Sequence, residues 1–239
     1  MGATFSILKR ELGAYFNTPI GYVFIAFFLS VSCAFYATSL FMQGVAEMRG
    51  YFGLLPIFFL FFVPAISMRL WAEERKLGTL ELLMTMPIKT WHAVLGKFLA
   101  GMLFIFITLF LTIHIPITLK VMGNPDMGPI IGGYLGAMVL GMIYLSIGSF
   151  ASSLTGDQIV AFVIGISINF LFFLMGYTPV IEWLKEFSPT IATFIQRFGV
   201  DYHFESISRG VVDSRDIIYA LSVTGFFLFL NVLVIERRR

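Results

Sequence analysis

Charged residues are scarce in this chain. Only 13% of its 239 residues are Asp, Glu, Lys or Arg, and 58% are hydrophobic, whereas roughly 25% of an average soluble domain is charged. A single cysteine, Cys33, excludes an internal disulfide. The net charge is only +2 and the basic residues are scattered, which argues against a nucleic-acid-binding patch. The composition indicates a polytopic membrane protein.

Motifs for catalysis are missing as well. The nearest approach to a phosphate-binding loop is Gly96-Lys97, but Trp91 and Phe98 stand where that loop requires Gly and Ser/Thr. The pair Glu73-Glu74 does not fit an intramembrane protease of the CAAX type, because Arg75 follows the pair directly and no histidine is followed by an asparagine four residues later. The three histidines lie in separate regions. We therefore expect no catalytic residue, no metal site and no cofactor in this chain, and substrate-binding residues stay unknown.

Long apolar runs dominate what is present. A helix needs about 20 apolar residues to cross a bilayer, and the alternation of a membrane β-barrel is absent. The sequence therefore predicts an all-α protein with six transmembrane helices. The predicted spans are Ile20–Met42, Tyr51–Leu70, Val94–Leu119, Ile130–Leu154, Ile159–Ile181 and Ile217–Ile235.

The distribution of basic residues predicts the orientation, since Lys and Arg accumulate on the cytoplasmic side of a membrane. The side with both termini and the loop after the second span holds ten of them, Lys9, Arg10, Arg69, Arg75, Lys76, Lys89, Lys97, Arg237, Arg238 and Arg239. The opposite side holds six, Arg49, Lys120, Lys185, Arg197, Arg209 and Arg215. Both termini are therefore predicted to be cytoplasmic.

Two segments outside the spans have helical periodicity. Within residues 1–18, one helical face carries Phe5, Leu8, Leu12, Tyr15 and Phe16, which is typical of a helix lying in the membrane interface; a frayed tail is the alternative. Residues 182–215 are too apolar for a free extracytoplasmic loop. They predict a helical hairpin of one or two short helices, broken at Ser188-Pro189 and Gly199.

Small residues form a stripe along the fourth span. Such residues let helix backbones approach closely inside a membrane bundle. The stripe therefore predicts tight internal packing and not a ligand site. Its members are Gly132, Gly136, Gly141, Gly148 and Ser152.

The densest charge cluster lies in the loop of residues 72–92, between the second and third spans. Thr79 is placed to cap a short helix, with Glu81 in its positive first turn and Pro87 at its end. Leu82 and Leu83 give this helix an apolar face. Such a helix can fit a groove on a soluble partner and transmit motion as a lever. The alternative is a solvated turn whose charges merely pair with one another.

The loop also carries a motif. Its sequence Glu73-Glu74-Arg75-Lys76-x-Gly78-Thr79-x-Glu81-Leu82-Leu83-x-x-x-Pro87 closely resembles the cytoplasmic signature of type-2 ABC transporter permeases. The subgroup that it resembles contains the gliding-motility permeases. Further matches lie at residues 15–22, 151–158, 204–213 and 236–239, so the resemblance covers essentially the whole chain.

The resemblance implies a single transmembrane permease domain over residues 1–239, in the cytoplasmic (inner) membrane of a bacterium. It implies pairing with a second permease copy, identical or not, and with two separate ABC ATPase subunits, which bind the ATP and Mg. A membrane-anchored auxiliary subunit is common among relatives. By this resemblance, Gly78–Met86 is the coupling helix that contacts the ATPase, and Thr155–Gln158 is a smaller second contact with it. The implied coupling residues are Glu73, Glu74, Gly78, Thr79, Glu81, Leu82, Leu83, Pro87 and Asp157.

Two functions are compatible with this pattern. The first is the permease of an ATP-driven exporter or extruder. The second is a non-transporting membrane subunit through which an ATPase acts mechanically on envelope partners, as in motility or secretion. A polar substrate cavity would separate them, but Ser146, Ser167 and Asn169 are too few to decide.

Overall fold

The computed structural model describes residues 2–43, 47–85, 88–123, 125–211 and 213–237. These described residues form thirteen α-helices and no β-strand, which confirms the all-α prediction. The helices are α1 (Gly2–Asn17), α2 (Pro19–Gln43), α3 (Arg49–Ser67), α4 (Arg69–Lys76), α5 (Thr79–Thr85), α6 (Thr90–Leu111), α7 (His114–Met122), α8 (Met127–Leu154), α9 (Gln158–Leu174), α10 (Thr178–Phe187), α11 (Pro189–Gln196), α12 (Val200–Ser208) and α13 (Ser214–Arg237).

Five helical segments are long and apolar enough to cross a membrane. They are Pro19–Thr38, Arg49–Lys76, Thr90–Met122, Met127–Leu154 and Ser214–Arg237. A sixth span is obtained only when α9 and α10 are counted together, and these two helices are bent by 60° at the break between them. The chain is therefore a multi-pass membrane protein with five or six spans.

The predicted fifth span, Ile159–Ile181, differs most from the structure. Helix α9 ends at Leu174 after 17 residues, which is about 26 Å and shorter than a hydrocarbon core of about 30 Å. The break contains Gly176, and an added Cβ there would come within 2.8 Å of the Tyr202 backbone nitrogen. The chain bends where α9 meets α12, a contact that hydropathy does not report.

Helix α8 is the centre of the bundle, because it packs against α3, α6, α9, α12 and α13. Its glycines bring these neighbours close. An added Cβ at Gly132 would overlap the carbonyl oxygen of Ile207 in α12, and one at Gly148 would overlap Ser67 Oγ in α3. The predicted packing role of the small-residue stripe is confirmed.

The two ends of the bundle are built differently. At one end, which we call the loop end, α4 meets the C-terminal part of α8 and α5 packs against α4. At the other end, α12 covers the N-terminal part of α8. We call α10–α12 the cap. The cap has three short helices where the sequence predicts one or two, and these helices are broken at Ser188 and Gly199, the two predicted positions. The Gly199 backbone packs directly on that of Gly176.

Polar contacts hold the cap to α13. His203 donates from Nε2 to the Arg197 carbonyl at 3.0 Å, and its Nδ1 lies 2.6 Å from Asp216 Oδ1. The Tyr219 ring stacks on the imidazole at 4.0 Å, and its hydroxyl donates to the Phe198 carbonyl at 2.6 Å. These bonds join α12, the turn before it and the start of α13.

Helix α1 packs along the first half of α6. Gly96 allows this approach, because an added Cβ would lie 2.9 Å from Ile7 and 3.0 Å from the Thr4 carbonyl oxygen. Tyr15 is buried and stacks on Phe104 with ring centroids 4.7 Å apart. Of the predicted apolar face, Tyr15 and Phe16 thus pack against Phe104 of α6, whereas its first member, Phe5, is exposed.

Candidate functional site

The loop end carries a sharp corner between α4 and α5. Gly78 has a φ of +70°, in the left-handed region that residues with a Cβ rarely adopt. Its N–H donates to the Arg75 carbonyl at 3.2 Å, and the Leu77 N–H donates to the Glu73 carbonyl at 3.0 Å. These bonds satisfy carbonyls at the end of α4 and turn the chain into α5.

Helix α5 presents two different faces. Leu83 is only 3% exposed and belongs to the apolar core, whereas Leu82 is 64% exposed. Glu81 lies in the first turn, where the helix dipole favours a carboxylate. It is exposed and forms no ion pair within the part of the chain that the structure describes. Glu81 and Leu82 are therefore available to a partner, and Leu83 is not.

Thr79 does not cap α5 in the predicted manner. It is the first residue of the helix, and its hydroxyl donates to the Glu74 carbonyl of α4 at 3.3 Å. The side chain therefore satisfies the end of α4 instead of the start of α5. This bond and the Gly78 turn hold the two helices at the corner.

Helix α4 is anchored to α8 by a serine that acts from outside the helix. Ser152 Oγ accepts from the backbone N–H groups of Trp71 at 3.0 Å and Ala72 at 3.1 Å, and it donates to the Met68 carbonyl at 2.7 Å. The first N–H groups of a helix have no partner within it, so Ser152 supplies what an N-cap side chain would. The start of α4 is thereby fixed on the central helix.

A second anchor connects α4 to α8 and α13. The Trp71 indole N–H donates to Ser149 Oγ at 3.2 Å, and Asn231 Nδ2 donates to the same oxygen at 2.7 Å. All three side chains are buried. Three helices therefore meet at one hydroxyl directly behind the loop.

A four-membered charge cluster lies beside the Trp71 anchor, since Lys97 Nζ is 5.1 Å from the centroid of the Trp71 ring. Lys97 Nζ is 2.9 Å from Glu11 Oε1 and 3.1 Å from Glu74 Oε1. Arg10 Nη2 lies 2.7 Å from each of the same two oxygens. The cluster joins α1, α4 and α6, and its two cations balance its two anions.

Burial makes this cluster energetically important. The Lys97 side chain is 1% exposed, those of Glu11 and Glu74 are 14% and 15%, and that of Arg10 is 50%. A buried ammonium group without partners would cost several kcal/mol. Burial raises the pKa of the Glu11 carboxyl, but Lys97 and Arg10 lower it by more, so the pKa lies below its ordinary value.

A second acidic residue of the loop pairs within α4. Glu73 Oε2 accepts from Arg69 Nε at 2.9 Å, one helical turn away. The Arg69 guanidinium also lies over the Tyr15 ring at 6.0 Å from its centroid, and the Tyr15 hydroxyl donates to the Ile66 carbonyl at 3.3 Å. Glu73 therefore contributes to the contact between α4 and α1.

Asp157 caps α9. Its Oδ1 accepts from the N–H groups of Ile159 at 2.8 Å and Val160 at 3.1 Å. The preceding residue, Gly156, packs against Arg75, since an added Cβ would lie 3.3 Å from Arg75 Cδ. The α8–α9 turn is thus beside α4, so the two predicted contact segments form one surface.

A cleft of about 380 Å³ opens between α1, α4 and α5. Its lining combines charged side chains with leucines. The lining includes Arg10, Glu11, Glu74, Leu82 and Leu83. No cluster of three or more potential metal-ligating side chains occurs among the described residues. The arrangement is suited to holding a partner segment.

The structure brings together most of the predicted coupling residues. Glu73, Glu74, Gly78, Thr79, Glu81, Leu82 and Leu83 lie on the α4–α5 corner, with Asp157 beside it, while Pro87 lies outside the described residues. Sequence reasoning missed Arg10, Glu11 and Lys97. The sequence does contain an indication of this cluster, because Lys97 lies within an apolar span and a lysine there requires a carboxylate partner.

Comparison with protein families identifies one match. The model of the ABC-2 family transporter protein matches residues 42–233, which is about four fifths of the chain and includes α4, α5 and the α8–α9 turn. Comparison with curated proteins returned no significant match.

Proposed function

Because the chain belongs to the ABC-2 family of transporter proteins, we propose that this permease is the membrane subunit of an ATP-driven exporter or extruder. Its ATPase subunits, with their ATP and Mg, are separate chains. It operates as a pair with a second permease copy in the cytoplasmic membrane of a bacterium, with both termini and the loop end in the cytoplasm. The ten-to-six distribution of basic residues supports this orientation.

The coupling element in this proposal is α5. The observation that carries the proposal is its division into two faces: Leu83 is buried in the subunit, whereas Glu81 and Leu82 point away from it without a partner among the described residues. An exposed carboxylate beside an exposed leucine is suited to a groove that combines a basic or hydrogen-bonding group with apolar walls.

Motion of the ATPase must then reach the spans. The anchors of α4 support such a route, since Ser152 fixes its start on α8 and Lys97 fixes its side to α6 and α1. A displacement of α5 is passed to α4 through the Gly78 corner. From there it reaches the central helix and the interfacial helix together.

The test is purification of the complex from its native membrane through a tag on this chain. Glu81→Ala and Leu82→Asp are each expected to reduce the recovered ATPase subunit or the coupled ATP hydrolysis. A charge-assisted contact of about 2 kcal/mol corresponds to a loss of about 30-fold. Glu182→Ala, which removes an exposed glutamate of the cap, is the matched control.

Two results would contradict the proposal. ATP hydrolysis by the isolated chain would show that no separate ATPase is needed. Full activity of both α5 variants in the assembled complex would show that α5 is a solvated surface helix. Leu83→Asp is unsuitable for this test, because it would place a charge in the apolar core of the subunit itself.

A further inference from the structure

A long apolar groove runs along the side of the bundle where α6 and α7 face α8. Its volume is about 550 Å³. Both walls belong to membrane-spanning segments, Thr90–Met122 and Met127–Leu154. The wall residues Phe106, Phe110, Ile117, Ile131 and Leu135 are all exposed on the side of the bundle. The groove therefore faces either lipid or another membrane protein.

The tyrosine in the described lining of the groove, Tyr134, has its hydroxyl group already hydrogen-bonded. The Tyr134 hydroxyl lies 2.9 Å from Thr112 Oγ1 and 3.1 Å from the Thr112 carbonyl. The Thr112 hydroxyl is also 2.7 Å from the Leu109 carbonyl. These bonds lie at the two-residue turn between α6 and α7. Apart from Lys120, the described lining consists of apolar side chains and of Tyr134, whose hydroxyl is paired.

One cation stands at the end of the groove. Lys120 is the charged residue among its described lining, it is exposed, and it forms no ion pair with any residue that the structure describes. Asp126, the nearest acidic residue in sequence, accepts from the Gly128 N–H instead. By contrast, Arg49 and Arg209 each pair with a glutamate. The Lys120 charge is thus uncompensated within the described chain.

We propose that this groove is a binding site for an anionic phospholipid, with an acyl chain in the groove and the phosphate on Lys120. Residues 106–120 extend over about 21 Å at about 1.5 Å per residue, which exceeds the depth of one leaflet of a hydrocarbon core about 30 Å thick. A cation above an apolar groove matches an anionic phospholipid, in which a negatively charged phosphate lies above an apolar acyl chain. If two copies of the chain packed with their grooves facing each other, their Lys120 side chains would instead meet without an acidic partner.

The experiment is native mass spectrometry of the purified protein after reconstitution with phosphatidylglycerol and phosphatidylcholine in equal amounts. The wild-type chain is expected to retain phosphatidylglycerol preferentially. Lys120→Gln should weaken this preference about fivefold, the factor expected for one basic residue near an anionic lipid surface. Lys185→Gln removes an exposed lysine of the cap and should leave the preference unchanged.

A second variant tests the apolar part of the site independently. Ile131→Trp fills the groove from an exposed position and should reduce retention of both lipids. Unchanged phosphatidylglycerol retention in Lys120→Gln would overturn the proposal. A change of oligomeric state in Ile131→Trp, without any change in bound lipid, would also overturn it, since the groove would then be a contact between protein chains.

Discussion

Replacing Lys97 with methionine should loosen α1 from the bundle. The substitution keeps the length and the apolar stem of the side chain but removes the ammonium group that lies 2.9 Å from Glu11 and 3.1 Å from Glu74. The two carboxylates would then depend on Arg10 alone. Because Arg10 is half exposed, it cannot compensate them as a buried cation does.

The size of the effect follows from burial. Removing one partner of a buried ion pair costs about 3–5 kcal/mol. The remaining contacts of Arg10 and the partial exposure of both carboxylates reduce this cost, so we expect about 2–3 kcal/mol in the free energy of opening α1. At about 1.4 kcal/mol per factor of ten, this corresponds to opening that is about 30- to 150-fold more frequent.

Amide hydrogen exchange of the complex in nanodiscs measures this opening directly. The amides of α1 should exchange faster by the stated factor in Lys97→Met, while those of α8 should not change. Lys89→Met, which removes an exposed lysine immediately before α6, is the matched control. Adding Glu74→Gln to Lys97→Met should restore part of the protection, since it removes one uncompensated charge.

Two outcomes would refute this reasoning. Unchanged exchange of α1 in Lys97→Met would show that the cluster contributes nothing to its attachment. Faster exchange of the α1 amides in the double variant of Lys97→Met and Glu74→Gln than in Lys97→Met alone would show that the loss of stability does not come from the uncompensated carboxylates.

Three further predictions concern single positions. Gly78→Ala should destabilise the α4–α5 corner by about 1–2 kcal/mol, because its φ of +70° is strained for alanine, and should speed exchange of the α5 amides. Gly132→Ala should lower the thermal unfolding temperature of the subunit, since the new methyl group overlaps the Ile207 carbonyl, whereas Gly225→Ala, where an added Cβ meets nothing within 4 Å, should not. Because the pKa of Glu11 is depressed in the folded chain, its carboxylate stabilises the attachment of α1 above the ordinary glutamate pKa of about 4.3, and this stabilisation is lost as the pH falls below that value. Spin-label distances between α1 and α6 should lengthen in that pH range. Glu11→Gln should remove this pH dependence.

The sequence predicts the spans and the loop because both depend on local properties. Hydropathy over about 20 residues identifies a membrane helix in any packing arrangement. The glycine at position 78 and the carboxylate at Glu81 act within one turn of their own helices. Even the breaks at Ser188 and Gly199 follow from residues that interrupt a helix locally.

Side-chain partners across the bundle could not be predicted in the same way. Leu82 and Leu83 are adjacent and equally apolar, and only the position of α4 decides which of them is buried. The sequence places Lys97 only among the ten basic residues of one membrane side, although Glu11, 86 residues away, and Glu74 enclose it. The end of α9 depends on its contact with α12, which the apolar run from Ile159 does not contain.

The junction of α9 with the cap has a mechanical consequence. At Gly176 and Gly199 the two segments touch through their main chains, so no rotamer change can absorb a relative displacement there. A tilt of α9 must therefore carry α12 with it, and the bonds of His203 pass the same displacement to the start of α13. Any rearrangement that separates α9 from α13 would therefore have to break the contacts of α12 with one of them first.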